Sequence, residues 1–274
     1  MDDLLDLQTI FLEAAREASD RILTIYATDF ETEQKSDQSP VTEADLAAES
    51  AILEQMTAQG VGIPVISEEA VAAGLIPDID DAYILVDPLD GTREFISRNG
   101  EFTVNIALVV AGEPVIGVVL APALGEAFWG AKGKGAFQSP IRTSARDMLA
   151  GSTALAVRRN GHVKWRAVAS RSHRSPETDS FLEANPVGEI VSFGSSLKLC
   201  RVASGDADIY PRISPTNQWD IAAGDAVLRA AGGTTITLDR APLAYRAPRP
   251  LRASGFLNPS FVACGAISPA DIVL

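Results

Sequence analysis

The sequence predicts a mixed α/β protein with an α+β first half and an α/β second half. In residues 1–145, two helical patterns precede short apolar strands and a hairpin, which indicates helices packed on a largely antiparallel sheet. In residues 146–274, strand and helix patterns alternate. We expect the two halves to form one integrated unit, with their boundary within residues 142–151.

The first half begins with two helices. Apolar residues recur every three or four positions over residues 4–26, which is the period of an amphipathic helix. Residues 28–40 are mostly polar and predict a loop. Thr42 is suited to cap a second helix over residues 43–59, which Gly60 ends.

Strands follow these helices. Short apolar runs at residues 63–66 and 83–86 predict buried strands before acidic turns. Residues 103–110 and 115–121 flank an Ala-Gly-Glu-Pro turn and predict a hairpin. In the second half, the patterns predict strands at residues 167–169 and 190–193, and helices at residues 176–184, 196–203 and 219–231.

The composition limits the classes of function. The 274 residues, 46% of them hydrophobic, are enough for a large core. The net charge of -13 repels nucleic-acid phosphates and anionic membranes, so we expect neither as a partner. Cys200 and Cys264 fit neither a disulfide framework nor a zinc site. Without a secretory signal or a membrane-spanning apolar run, we expect a cytoplasmic protein.

Acidic residues follow the predicted strands. Asp87 and Asp90 come directly after the run 83–86, in a turn stiffened by Pro88 and closed by Gly91. Carboxylates at a strand end suit magnesium, which prefers hard oxygen ligands. An ordinary Asp-Pro surface turn is the alternative for this segment taken alone.

Further carboxylates favour a shared site. Glu68 and Glu69 also follow a short apolar strand. Asp220 begins a helix of small residues, and Asp45 lies in the first turn after Thr42. Helix capping is an equally good explanation for these last two aspartates.

Three segments together resemble the signature motifs of the inositol monophosphatase superfamily, at residues 66–69, 87–92 and 219–224. The resemblance covers nearly the whole chain. It implies a layered αβαβα sandwich with a metal-dependent phosphatase site, in which residues 1–145 form the metal-binding half and residues 146–274 the substrate-binding half.

Within the superfamily, further segments are similar to the bacterial 3'(2'),5'-bisphosphate nucleotidases, at residues 36–42, 93–103, 194–200, 210–212 and 215–217. This likeness implies hydrolysis of the 3'-phosphate of adenosine 3',5'-bisphosphate, a by-product of sulfate assimilation, and inhibition by lithium. The alternative enzyme is an inositol monophosphatase or a broad sugar-phosphate phosphatase. The alternative of another class is a non-catalytic regulator that binds metal or phosphate.

The resemblance also implies roles for single residues. Thr92 is expected to orient the attacking water, with Asp45 accepting the hydrogen of its hydroxyl. The backbone amides of Gly91 and Thr92 are expected to contact the phosphate. The implied ligands of two or three Mg²⁺ ions are Glu68, Asp87, Asp90, Asp220 and the carbonyl of Leu89. The implied substrate contacts are His173, near the nucleobase, together with Ser195, Lys198 and Arg212.

The chain departs from the family pattern at two places. Arg174 follows His173 where relatives often carry an acidic residue nearby, and the segment 152–163 looks unfamiliar. The resemblance leaves a monomer or a homodimer open. It also allows a peripheral location on the cytoplasmic face of the inner membrane.

Overall fold

The computed structural model describes residues 3–30, 32–34, 40–159, 163–170, 175–246 and 253–274. The helices are Asp3–Tyr26 (α1), Glu43–Ala58 (α2), Glu68–Ala72 (α3), Thr92–Ile96 (α4), Ala145–Ala150 (α5), Pro176–Ala184 (α6), Leu197–Ala203 (α7) and Gln218–Ala230 (α8). The strands are Thr32–Gln34 (β1), Pro40–Thr42 (β2), Val65–Ser67 (β3), Ala82–Asp90 (β4), Thr103–Val110 (β5), Glu113–Ala121 (β6), Glu126–Ala131 (β7), Gly135–Pro140 (β8), Thr153–Leu155 (β9), Trp165–Ser170 (β10), Val187–Phe193 (β11), Ile209–Arg212 (β12), Thr234–Thr237 (β13) and Phe261–Cys264 (β14).

The helices predicted from periodicity are present, with ends at or next to the predicted residues. The prediction of a plain loop at residues 28–40 was wrong in one respect, since β1 and β2 pair antiparallel as a short ribbon. None of the helices in the described ranges combines the length and the apolar character that crossing a membrane requires.

The first sheet contains β3 to β9 in chain order. Its β3 and β4 are parallel and the other neighbours are antiparallel, as the predicted hairpin requires. Strand β9 joins this sheet although it lies beyond residue 145. The division of the chain between residues 145 and 146 stays a prediction.

The second sheet has the order β11-β10-β12-β14-β13. Strand β10 runs parallel to both β11 and β12, as expected when helices connect the strands. Strand β14 runs antiparallel to β12 and β13, so the sheet is mixed.

Five layers of structure follow from how these elements bury their apolar faces. Helices α1 and α2 cover one face of the first sheet, with Phe11 and Ile52 in the same core cluster as Ile84. Helices α7 and α8 lie between the two sheets, and α6 packs on the outer face of the second sheet. The predicted αβαβα sandwich is confirmed.

Helix α8 lies unusually close to the first sheet. A Cβ atom added to Gly117 of β6 would meet the carbonyl oxygen of Ala223 at 2.1 Å, and one added to Gly130 of β7 would meet the Ala230 Cβ at 2.9 Å. Only glycine leaves room for this approach. These contacts hold α8 directly against β6 and β7.

A buried polar network fixes α8 from the other side. Asp225 is fully buried and accepts hydrogen bonds from the hydroxyls of Thr235 at 2.7 Å and Tyr245 at 2.9 Å, and from Arg229 at 3.0 Å. Burial, and then the charge of Asp225, raise the pKa of Tyr245 well above its usual value. We assign this network a structural role, because a satisfied buried carboxylate holds its partners in place.

Candidate active site

The end of β4 brings Asp87 and Asp90 to one side of the sheet. Successive strand residues point to opposite faces, so two residues three positions apart normally diverge. Here Asp87 pairs with Asn105 and Asp90 with Thr103, with a register shift between the two pairs. The extra residue in β4 is a bulge, and it turns both carboxylates toward the same side.

Two other elements deliver carboxylates to the same place. Glu68 is the first residue of α3, directly after β3, which is parallel to β4. Asp220 is the third residue of α8 and accepts a hydrogen bond from the amide of Asn217 at 2.9 Å. Carboxylate oxygens of Glu68, Asp87 and Asp220 all lie within 4.8 Å of one another. The structure thus unites three predicted metal ligands.

The electrostatics of this cluster favour a bound cation. Burial raises the pKa of Asp220 well above its usual value, and the nearby charges of Asp90 and Glu68 raise it further. Repulsion of this kind is relieved when a divalent cation lies between the oxygens. The donors are carboxylate oxygens, which fit a hard cation. The residues present therefore fit the metal that the sequence predicts.

Thr92 and Asp45 are in direct contact, as predicted. The Thr92 hydroxyl donates to Asp45 Oδ1 at 3.2 Å, and the amide and hydroxyl of Thr42 both donate to Asp45 Oδ2 at 2.8 Å. Asp45 is 1% exposed. It forms the capping box of α2 and also accepts from Thr92, and its predicted part in orienting water stays a prediction.

Gly91 allows α4 to begin next to the carboxylates. Its φ angle is +92°, in the left-handed region that favours glycine, and α4 starts at the next residue, Thr92. A side chain at position 91 would also meet the Glu101 carbonyl oxygen at 3.3 Å. The turn therefore depends on glycine.

Two cationic side chains are buried in the wall of the same cleft. Lys198 is 6% exposed and Arg212 is 8% exposed. Lys198 Nζ donates to the Phe193 carbonyl at 3.4 Å and lies 5.7 Å from the Tyr210 ring centre. Burial lowers the pKa of Lys198 to about 8. Two buried cations side by side indicate a site for an anion.

Arg212 has unused hydrogen-bonding capacity. Its Nη2 donates to the Pro215 carbonyl at 3.0 Å, whereas its buried Nε finds no hydrogen-bond partner within the described part of the chain. A buried donor without a partner is costly, and a ligand in the cleft can supply the acceptor.

Ser195 contacts the carboxylate side of the site. Its hydroxyl donates to Asp90 Oδ2 at 2.5 Å and is in hydrogen-bond contact with the hydroxyl of Thr103. The Ser196 hydroxyl donates to the carbonyl oxygen of Asp220 at 2.5 Å and lies 3.1 Å from the same Asp90 oxygen. Sequence reasoning gave Ser196 and Thr103 no role, although both lie in the segments 194–200 and 93–103 that are similar to the nucleotidases.

These groups surround one cleft of about 250 Å³ between the two sheets. Its walls include Glu68, Asp90, Gly91, Thr92, Glu94, Ser170, Ser195, Lys198, Tyr210, Arg212, Thr216 and Asp220. His173 and residues 36–39 lie outside the described residues, so their predicted contacts stay predictions. We call the carboxylates of this cleft its acidic end, suited to metal ions, and Lys198 with Arg212 its cationic end, suited to a second anionic group; the two are neighbours, since the charge of Asp90 acts on Lys198.

The layered fold and the carboxylate cluster define a metal-dependent phosphatase. A profile of the inositol monophosphatase family matches residues 3–264, and the chain belongs to this family.

Individual relatives point to one group of enzymes within this family. The 3'(2'),5'-bisphosphate nucleotidase CysQ of Salmonella typhimurium strain LT2 is 42% identical over 255 residues, covering 91% of this chain and 96% of the relative. The CysQ of Escherichia coli K12 is 40% identical over 255 residues, with the same two coverages. The crystal structure of CysQ from Bacteroides thetaiotaomicron superimposes with a TM-score of 0.79 at 36% identity, covering 96% of this chain and 98% of that one.

Proposed function

We propose that this protein is a magnesium-dependent phosphomonoesterase that converts adenosine 3',5'-bisphosphate to AMP and phosphate. The observation that carries the substrate assignment is the buried pair Lys198 and Arg212 in the same cleft as the carboxylate cluster. A substrate with two phosphates uses both ends of the cleft, whereas an inositol monophosphate has no second phosphate to contact the cations. The high identity to CysQ nucleotidases supports the same substrate.

The acidic end is the proposed site of the cleaved phosphate. Two or three Mg²⁺ ions would be held by Glu68, Asp87, Asp90, Asp220 and the carbonyl oxygen of Leu89. Bound Mg²⁺ lowers the pKa of a coordinated water and neutralises charge on the phosphate and its leaving oxygen.

Thr92 and Asp45 are the proposed orienting pair for the attacking water. Because the Thr92 hydroxyl donates its hydrogen to Asp45, its oxygen can still accept a hydrogen from water. Water adds to phosphorus, the bond to the 3' oxygen breaks, and that oxygen takes up a proton. The amides of Gly91 and Thr92 are proposed to contact the phosphate during this step.

The cationic end is the proposed site of the 5'-phosphate, which is not cleaved. Lys198 and Arg212 would pair with its oxygens, and Arg212 Nε would gain the acceptor that it lacks. Ser195, and His173 beyond the described residues, are further proposed contacts of the nucleotide.

The variants Lys198→Met and Arg212→Gln test this assignment. Each should lower kcat/KM for adenosine 3',5'-bisphosphate by about 10- to 100-fold, the usual effect of losing a hydrogen bond to a charged group. Adenosine 3'-monophosphate lacks the 5'-phosphate, so its kcat/KM should change by less than about threefold. Equal losses on the two substrates would contradict the assignment. Lys132→Met is the matched control, since that lysine is 61% exposed and pairs with Glu113 on the surface.

The pH dependence gives a second check on Lys198. With a pKa of about 8, the side chain is charged below that pH and neutral above it. The preference for the bisphosphate over the 3'-monophosphate should therefore decrease as the pH rises through about 8, and the Lys198→Met variant should lose this dependence. A wild-type preference that stays constant between pH 7 and about 9 would count against a phosphate contact at Lys198.

The compartment and the oligomeric state stay predictions. Cys200 and Cys264 are buried free thiols, which supports the reducing, cytoplasmic environment expected from the sequence. Gel filtration with light scattering would separate the monomer from the homodimer.

A further inference from the structure

Strand β5 supplies a second layer of polar groups behind the carboxylates of β4. Thr103 and Asn105 are both fully buried, and they pair across the strands with Asp90 and Asp87. The Thr103 hydroxyl contacts the Ser195 hydroxyl on one side and lies 3.1 Å from the Asn105 amide oxygen on the other. A continuous line of polar atoms thus runs from Asn105 to Asp90.

The number of hydrogens on each group determines which group donates in each hydrogen bond along this line. An ionised Asp90 only accepts, so the single hydroxyl hydrogen of Ser195 must go to Asp90 Oδ2. Ser195 then accepts the hydroxyl hydrogen of Thr103. Thr103 has no second hydrogen, so its contact with Asn105 requires a donor from the amide.

The Asn105 amide can provide that donor. Its Nδ2 is buried and has no hydrogen-bond partner in the described ranges. A half-turn of the amide exchanges its oxygen and nitrogen, which places Nδ2 against the Thr103 hydroxyl. The buried donor is then satisfied, and every hydrogen in the line points toward Asp90.

Contacts with Glu101, just before β5, fix the loop that carries Ser195. The Gly194 amide donates to Glu101 Oε2 at 2.8 Å, and a Cβ at Gly194 would meet the Glu101 carbonyl oxygen at 2.7 Å. Ser195 itself has a φ of +52°, which few residues other than glycine adopt. The loop from the second sheet is therefore fixed against the first sheet at the point where Ser195 reaches Asp90.

We propose that Thr103 and Asn105 are positioning residues for Asp90, acting through Ser195. The line of donors Asn105, Thr103 and Ser195 ends on Asp90 Oδ2, and the Ser196 hydroxyl lies 3.1 Å from the same oxygen. Oδ1 is thereby kept for a metal ion. This role of Asp90 rests on the proposed function, but the support from β5 is a separate claim. It also gives Ser195 a task that does not require substrate.

Magnesium binding in the absence of substrate tests the proposal. Thr103→Val keeps the shape of the side chain and removes its hydroxyl, so the Mg²⁺ dissociation constant measured by calorimetry should rise about tenfold, the lower end of the effect of losing a partner behind a metal ligand. Thr103→Ser should restore binding. Ser195→Ala should weaken Mg²⁺ binding as Thr103→Val does, since a residue that only contacts substrate would leave it unchanged.

A matched control separates positioning from general loss of stability. Thr235→Val removes another fully buried threonine hydroxyl that donates to a carboxylate, that of Asp225, which is on the same helix as Asp220 but is not a proposed metal ligand. It should lower the melting temperature and leave the Mg²⁺ dissociation constant within about twofold.

Failure of the positioning role and failure of the proposed function would give different results. If wild-type protein binds Mg²⁺ and hydrolyses the bisphosphate while Thr103→Val and Ser195→Ala bind Mg²⁺ as tightly, the positioning role is wrong and the proposed function stands. If wild-type protein binds no Mg²⁺, both are overturned.

Discussion

Asp220→Asn should remove nearly all phosphatase activity and at the same time make the metal-free protein more resistant to heat. The substitution takes a charge from the carboxylate cluster, so kcat/KM should fall by about 1000-fold or more, since metal ions supply several kcal/mol of charge stabilisation in the transition state. In EDTA, the melting temperature should rise by about 2 °C or more, because repulsion from Asp90 and Glu68 is relieved.

The pH dependence follows from the sign of the pKa change. Burial, then the charges of Asp90 and Glu68, raise the pKa of Asp220 in the folded protein above that of an unfolded aspartate. The unfolded state therefore releases its proton first, and metal-free protein loses stability as the pH rises above about 4 toward the folded pKa. Melting curves in EDTA across this range should show a smaller loss for Asp220→Asn than for wild type.

The substitution preserves the helix cap, so the comparison of Asp220→Asn with wild type isolates the effect of the charge. An asparagine oxygen can still accept from the Asn217 amide, which donates to Asp220 at 2.9 Å. Asp147→Asn is the matched control, at the same third position of α5, where the Ser144 hydroxyl lowers the pKa of the carboxyl. That variant should keep full activity and gain no stability. Appreciable turnover by Asp220→Asn, or a lower melting temperature in EDTA, would contradict the account of the cluster.

Thr92→Ala should lower kcat by about 100- to 10,000-fold with a small change in KM. The hydroxyl acts on the attacking water in the transition state and contributes little to substrate binding, and positioned proton-transfer groups contribute rate factors of this size. Steady-state kinetics on adenosine 3',5'-bisphosphate at saturating Mg²⁺ measures the effect. Thr92→Ser keeps the hydroxyl and should recover most of the lost rate.

Two measurements separate this chemical role from damage to the site. The Mg²⁺ dissociation constant of Thr92→Ala should match that of wild type, because no proposed ligand is removed. Ser97→Ala, in an exposed residue at the other end of α4, should leave kcat unchanged. A Thr92→Ala variant with near-normal kcat would show that the water is oriented by another group.

The spacing of apolar residues was sufficient to predict the elements that bury one continuous face. Helices α1 and α6 end where the apolar pattern and the turn residues predict. The ribbon of β1 and β2 was missed because each strand has three residues and its pairing is set by the partner strand. The same holds for β13 and β14, four residues each, which are stabilised by pairing with each other and, for β14, with β12.

Site residues were predictable where a local sequence pattern indicated them. Asp87, Glu68 and Asp220 were found because each follows a strand or begins a helix, and the structure brings them together. The hydroxyls of Thr103 and Ser196 were not found, because their contacts with the β4 carboxylates depend on a bulge and on a loop from the other sheet. Such contacts between distant segments leave no periodic signal in one sequence.

The most direct test of the central claim compares phosphate release from adenosine 3',5'-bisphosphate and inositol 1-phosphate, each with Mg²⁺ and with EDTA. The account predicts a kcat/KM at least about 100-fold higher for the bisphosphate, as expected when two buried cations contact its second phosphate, and no release in EDTA. Equal or faster release from inositol 1-phosphate would contradict the assignment of Lys198 and Arg212 to a second phosphate, and release in EDTA would contradict the metal site itself.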